Sequence, residues 1–256
     1  MDKNYGVLFT AAGKKYIKSA IRAAKTVRKH SPNLKVHLNA DWKDHPEFQF
    51  DQDPAPFTSV DYVENPHRRS KLEYLSKTPF DRTLFLDTDT AFASDVTPMY
   101  EILDRFDLAV AHAHRRNYPL RLKPWRIEIP QAFPQFNAGV LLYKSTPEVL
   151  QFMTDWWAAF QEAGFPQDQI TLRELLWKSD LRIATLPPEY NVRYLKYLLM
   201  WRKREATPQI FHLQYFHEGP FWWIKGPIKN ILRTVLTKLN IDPGEFKRKV
   251  THGKRS

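Results

Sequence analysis

Two observations predict an α/β fold with a mostly parallel central sheet. Short apolar runs alternate along the chain with amphipathic stretches at helical spacing. The run Leu84–Leu86 stops abruptly at carboxylates, as a buried strand does at its carboxyl end. No run of about 18 apolar residues exists, so no spanning helix is predicted.

The elements follow in order. Tyr5–Phe9 reads as the first strand, and Thr10-Ala-Ala-Gly13 as a turn of small residues that lets backbone approach a ligand. From Tyr16 to His30, Ile17, Ala20, Ile21, Ala24 and Val27 recur at helical spacing among Lys and Arg. Lys35–Asn39 is a second strand, and the proline-rich, polar stretch Ala40–Thr58 a loop. Ser59–Val63 is a third strand, followed by a short helix over Arg68–Leu75 that carries Lys71. Strands are then expected at Leu84–Leu86, Asp107–Ala111, Phe136–Tyr143, Ile183–Leu186 and Ile210–His212. Pro147–Ala163 is a strong helix, and Asp168 stands where it could cap the helix that Gln167-Asp-Gln169 opens. His112–Pro134, with four prolines and five basic residues, reads as an irregular segment and a candidate lid. Ile228–Leu239 is an amphipathic basic helix at the C-terminal end.

Composition narrows the function classes. The chain has 256 residues, 43% of them hydrophobic and 14% aromatic, which suits a globular protein with a substantial core. It has no cysteine, which excludes disulfides and thiolate metal sites. The N-terminus enters a strand directly and does not read as a signal peptide, so a cytoplasmic location is expected. The net charge is +11, and it is unevenly placed: residues 225–256 hold nine Lys or Arg against two Asp or Glu. Such a tail suits an anionic partner: a membrane surface, bound peripherally, nucleic acid or a phosphorylated substrate. The charge therefore sets a main unit over residues 1–220 apart from a basic amphipathic extension over 221–256.

The chemistry concentrates after Leu86. Asp87 and Asp89 are one residue apart, and extended residues at i and i+2 point the same way. Both carboxylates can then face one hard divalent cation. A second Asp-x-Asp, Asp51-Gln52-Asp53, lies among prolines without an apolar run and reads as loop. The turn at Thr10–Gly13 lacks the glycine pattern of a phosphate loop, which argues against a Walker-type nucleotide site.

Seven segments now stand in one order: the N-terminal strand with its small-residue turn, Lys71, Leu-Asp87-Thr-Asp89, Phe-Asn137-Ala-Gly139-Val, Asp168-Gln169, Leu-Pro-x-x-Tyr190-Asn191 and Ile-x-His212. This order resembles GT-A glycosyltransferases. It is most similar to the retaining family 8 type, which includes glycogenin-like enzymes and lipopolysaccharide galactosyl- and glucosyltransferases. The resemblance runs from about Tyr5 to His217. It implies a Rossmann-like GT-A fold and transfer of a sugar from a nucleotide-diphosphate sugar, a UDP-sugar above all, to a glycan or glycolipid acceptor.

The resemblance also implies residue roles. Asp87 and Asp89 would hold Mn²⁺ (or Mg²⁺) and through it the diphosphate, with Thr88 between them at the nucleotide-sugar. Thr10, Ala11 and Tyr16 fall where the nucleoside is held, and Lys71 near the nucleotide and donor sugar. Asn137, Asp168 and Gln169 would act at the sugars. The family's closing His-x-x-Gly-x-x-Lys-Pro-Trp is absent. His212 follows an apolar strand and His217 precedes a glycine by two residues; both can supply the third metal ligand, and the strand favours His212. Lys225 is the residue available to replace the phosphate-binding lysine.

Such a site has a clear physical task. Charge builds on the diphosphate as the anomeric bond breaks, and a divalent ion serves there as a Lewis acid. A carboxylate or amide beside the donor sugar stabilises an oxocarbenium-like transition state. Two other functions remain in view. An inverting GT-A enzyme would use a carboxylate base in place of the Asp168-Gln169 feature. A nucleic-acid-binding protein would interleave basic and aromatic residues along a groove. Here the charge gathers after the catalytic unit, which makes nucleic acid the weaker alternative.

Overall fold

The computed structural model describes residues 4–67, 69–115, 122–194, 196–202 and 204–213. Nine strands and five α-helices are assigned among them. The strands are β1 (Tyr5–Ala11), β2 (Lys35–Ala40), β3 (Ser59–Tyr62), β4 (Arg82–Leu86), β5 (Thr90–Phe92), β6 (Leu108–His112), β7 (Phe136–Lys144), β8 (Ile183–Leu186) and β9 (Ile210–His212). The helices are α1 (Lys14–His30), α2 (Ser70–Tyr74), α3 (Pro147–Ala163), α4 (Gln169–Lys178) and α5 (Lys196–Met200).

Seven strands form the central sheet in the order β3-β2-β1-β4-β7-β6-β8. The pairings β1/β2, β1/β4, β2/β3 and β6/β8 are parallel, as the alternation of strands and helices predicts. β7 runs antiparallel to both of its neighbours, β4 and β6. That reversal has a local consequence. The first residues of β7 lie beside the carboxyl end of β4, because Leu86 pairs with Val140.

The sheet separates two apolar clusters, and strand alternation sorts residues between them. Val7, Phe9, Leu84, Leu86, Val140 and Leu142 belong to the cluster that α1 covers with Ile17, Ala20, Ala24 and Val27. Leu8, Phe85, Leu141 and Tyr143 belong to the other, with Val149, Met153 and Trp156 of α3 and Leu172 and Leu176 of α4. Both faces are therefore covered, as an apolar strand without polar alternation requires. Pro at the start of α3 costs no hydrogen bond, since that N–H has no intrahelical partner.

Beside this sheet lies a two-stranded one that the sequence did not foretell. β5 pairs antiparallel with β9 and sets Thr90 opposite His212. The backbone at Val192 joins it: its N–H donates to Ile210 O at 2.9 Å and its carbonyl accepts from His212 N–H at 3.0 Å. Of the segment read as a lid, 116–121 lie outside the described residues. Residues that follow are fastened to α4: Glu174 accepts from the backbone N–H of Arg126 at 2.9 Å, and Arg173 donates to Pro130 O at 2.7 Å. The expected C-terminal helix, His217, Lys225 and the neighbouring tryptophans lie outside the described residues.

Candidate active site

β1, β2 and β4 are neighbouring parallel strands, so their carboxyl ends emerge side by side. A cleft of about 780 Å³ opens there, at the position where open α/β sheets bind ligands. Asp87, Thr88 and Asp89 line it from the end of β4, and Asn137 and Gly139 from the antiparallel β7 beside them. Asp168 and Gln169 reach it from the start of α4, Lys71 from α2, and His212 from β9.

One ligand atom each from Asp87, Asp89 and His212 lies within 4.8 Å of the others. His212 Nε2 stands 3.1 Å from Asp89 Oδ1 and 3.5 Å from Asp87 Oδ2. The β5/β9 pairing produces this meeting across more than 120 residues of chain. The other ring nitrogen is fixed: Nδ1 lies 2.8 Å from Asn191 Oδ1. Asn191 is itself oriented by donating from Nδ2 to Asn137 Oδ1 at 3.2 Å. With Nδ1–H donating to Asn191, Nε2 turns toward the two carboxylates.

Two hard oxygens and one imidazole suit a divalent ion of the manganese type, and the geometry leaves room for one. Gly139 provides part of that room. A Cβ there would fall 2.1 Å from His212 Cε1 and 2.6 Å from Asp87 Oδ2. Only glycine lets β7 pass this close, which accounts for the Asn-Ala-Gly stretch.

The electrostatics keep the acids ionised. Burial pushes Asp87 up, but the Lys71 ammonium and the His212 ring outweigh it and hold the carboxyl well below its usual range. Asp89 is held at about 2: burial raises it, and the neighbouring His212 ring and Arg193 guanidinium more than offset that. Burial pulls the Lys71 ammonium down, and Asp87 and Asp168 reverse this and leave it raised. Lys71 Nζ lies 2.7 Å from Asp87 Oδ1 and 3.5 Å from Asp168 Oδ2, so it joins the metal corner to the start of α4.

Asp168 occupies the position before α4 but makes no side-chain capping bond. Its carboxylate turns instead to Arg69 at 3.2 Å and to Lys71. Thr10 and Tyr16 line the cleft on the β1 side. Ala11 does not; its side chain is 2% exposed in the core, and Ala12 takes its place on the wall. Asp51 of the second Asp-x-Asp is exposed in a turn, as expected of a loop.

Four contributors were given no role from the sequence. Arg69 steadies Asp168 and donates to Pro166 O at 2.8 Å. Asn191 orients His212. Arg193 lines the cleft near Asp89. Asp41 lines it from the end of β2. Asn191 already stood in the ordered motifs without a role, and Asp41 had a legible signal, since it directly follows an apolar strand as Asp87 does.

The fold thus brings an acidic corner and an imidazole together in one polar cleft. The chain belongs to the nucleotide-diphospho-sugar transferase family, whose model matches residues 24–220. It is thus a glycosyltransferase of the GT-A, family 8-like kind. Solved structures with the same fold include the galactosyltransferase LgtC in complex with donor and acceptor sugar analogues: TM-score 0.58, 17% identity, covering 84% of this chain and 87% of that one. Mouse xyloside xylosyltransferase 1 is similar with TM-score 0.54 and 13% identity, over 81% of this chain and 97% of that one. The glycosyltransferase GlyE of Streptococcus pneumoniae TIGR4 gives 0.52 and 20%, over 81% of this chain and 54% of that one. No curated protein matches the chain by sequence.

Proposed function

We propose that the chain moves a sugar from a UDP-sugar to a glycan or glycolipid acceptor, with retention of anomeric configuration, using Mn²⁺ in preference to Mg²⁺. The observation that carries this reading is the meeting of Asp87, Asp89 and His212 in the cleft, with Lys71 linking that corner to Asp168. Asp87, Asp89 and His212 would hold the ion, and the imidazole is the reason for favouring Mn²⁺. When bound, the ion supplies Lewis-acid stabilisation of the leaving diphosphate. Lys71 contributes a fixed positive charge to the same corner, and Arg193, which lines the cleft and whose charge helps hold Asp89 low, is available for the phosphates in the part assigned from sequence to Lys225. The Asp168 carboxylate, steadied by Arg69, faces the cleft where positive charge would build on the sugar, with Gln169 beside it. Asn137 has one duty already, holding Asn191, and lines the same wall.

The test is hydrolysis and transfer with a panel of nucleotide-sugars, with Mn²⁺ and with chelator, followed by proton NMR of the product anomer. Metal-dependent release of UDP and a retained product are expected. Full turnover in chelator would overturn the metal assignment, and an inverted product would move the chain to an inverting mechanism.

The acceptor reading includes a membrane surface. No helix among the described residues is long and apolar enough to cross a membrane. On α5, however, Leu199 is 90% and Met200 66% exposed, flanked by exposed Lys196, Arg202 and Arg204. Apolar tips within a cationic rim suit an anionic bilayer, as does the basic extension over 221–256. Co-sedimentation of the full chain with anionic but not neutral vesicles is expected; no binding to anionic vesicles at low salt would point to a soluble acceptor.

A further inference from the structure

We infer that Asp41 reads the nucleobase of the donor, accepting a hydrogen bond from a base that carries a ring N–H. The inference rests on the transferase reading above. It begins with strand order. Asp41, Thr10 and Asp87 stand at the ends of β2, β1 and β4, three successive parallel strands. Two strand spacings amount to about 10 Å, the span of a ribose and base beyond a diphosphate held at Asp87.

The side chain is built for a ligand. Asp41 is 7% exposed and faces the cleft beside Thr10, Gly13 and Tyr16. The N–H of Gly13 donates to both carboxylate oxygens, at 2.8 and 2.9 Å. Gly13 has φ +88°, a conformation that favours glycine, and so turns that N–H inward. Among the described residues it is the carboxylate's hydrogen-bond donor; His45 Nε2 stands off at 3.6 Å. A carboxylate offers about four acceptor directions, so a nearly buried one with a single donor is under-satisfied. On the adjacent strand, Thr10 Oγ1 is also buried without a hydrogen-bond partner. Both residues line the cleft where a nucleoside would lie.

A fixed acceptor discriminates by base edge. Uracil N3 and guanine N1 carry hydrogens and can donate to Asp41. The matching ring nitrogens of cytosine and adenine are acceptors, and their lone pairs would face a carboxylate. Rejecting such a mismatch is stronger than rejecting a merely smaller group, because a buried charged acceptor is left unpaired.

The experiment is calorimetric titration of UDP, GDP, CDP and ADP, each with Mn²⁺, into the full chain and into Asp41→Asn. The asparagine keeps an oxygen for Gly13 N–H and replaces the other acceptor by an NH₂ donor. UDP should bind the wild type at least tenfold more tightly than CDP. In Asp41→Asn, UDP affinity should fall about 10- to 100-fold while CDP holds or improves. An equal loss for every nucleotide would mean that Asp41 only holds the turn at Gly13, and would overturn the inference. Equal binding of UDP and CDP by the wild type would overturn it too. Tighter binding of GDP than UDP would keep Asp41 as the reader and overturn the UDP donor. If no nucleotide binds the wild type, the transferase reading falls, and this one with it.

Discussion

Replacing Gly139 by alanine should remove metal binding without unfolding the protein. The added Cβ would stand 2.1 Å from His212 Cε1, 2.8 Å from His212 Nδ1 and 2.6 Å from Asp87 Oδ2. Carbon atoms in contact lie about 3.5–4.0 Å apart, so the imidazole must retreat by roughly 1.4 Å. The backbone cannot yield in its place, because Gly139 O accepts Asp87 N–H at 2.9 Å within the sheet. Metal–ligand distances are held to about 0.2 Å, so this retreat takes His212 out of ligation. Loss of an outer partner costs about 10–100-fold in metal affinity, and loss of the ligand itself should cost at least about 100-fold. Overpacking costs about 1–3 kcal/mol, which a domain with about 5–15 kcal/mol of stability survives. The assay is Mn²⁺ titration by calorimetry with UDP present, alongside a thermal melt. Gly6→Ala is the control, since its Cβ would fall 2.3 Å from Phe80 Cζ, in the core. It should lower the melting temperature and leave Mn²⁺ affinity alone. A folded Gly139→Ala protein with wild-type Mn²⁺ affinity would refute the argument that Gly139 clears the metal corner.

Asn191→Ala should weaken Mn²⁺ about 10–100-fold by freeing the His212 ring, and Asn191→Asp, which keeps an acceptor for Nδ1, should restore most of it; equal affinity in all three proteins would dismiss the positioning role. Lys71→Met should lower turnover about 100-fold, because it leaves the Asp87 and Asp168 carboxylates without their shared cation; kcat/KM within threefold of wild type would count against it. Asp107 carries a depressed pKa, with Arg182 hydrogen-bonded to its carboxylate and Lys144 beside it. A depressed acid contributes stability above its unfolded value and loses it as pH falls through the folded one. The Tm gap between wild type and Asp107→Asn should therefore be full at pH 6, begin to narrow only below about pH 4, and shrink progressively as pH falls toward the depressed folded value. A gap that persists unchanged to pH 2 would rule out this ion pair as its source.

Much of the fold was legible because its signals are local. β8 and β9 and the helix Pro147–Ala163 were read at their observed bounds, and α1 within two residues. Buried strands need unbroken apolar runs, and a covering helix needs a stripe at 3.6-residue spacing, so both periods are written in the chain. β5 was missed because three residues, Thr90–Phe92, carry no period; they are extended only because β9 pairs with them. The reversed direction of β7 was equally hidden, since an apolar strand reads the same in either sense.

The same division runs through the site. Sequence alone placed Asp87 and Asp89 just past the carboxyl end of an apolar strand, but the extended spacing expected of them is replaced by a turn at Thr88–Asp89 between β4 and β5. It also determined the order of motifs that resembles a sugar-nucleotide transferase. Tertiary structure decided which distant groups join them: β9 delivers His212, Asn191 aims it, and β7 approaches closely enough to require Gly139. It turned Asp168 from a prospective helix cap into a partner of Arg69 and Lys71, and sent Ala11 into the core. It also brought Asp41 into a cleft with Thr10 and Gly13. The physical reason is that hydrophobic periodicity is a property of neighbours along the chain. Ligand geometry belongs instead to side chains whose distances are set only when the strands pair.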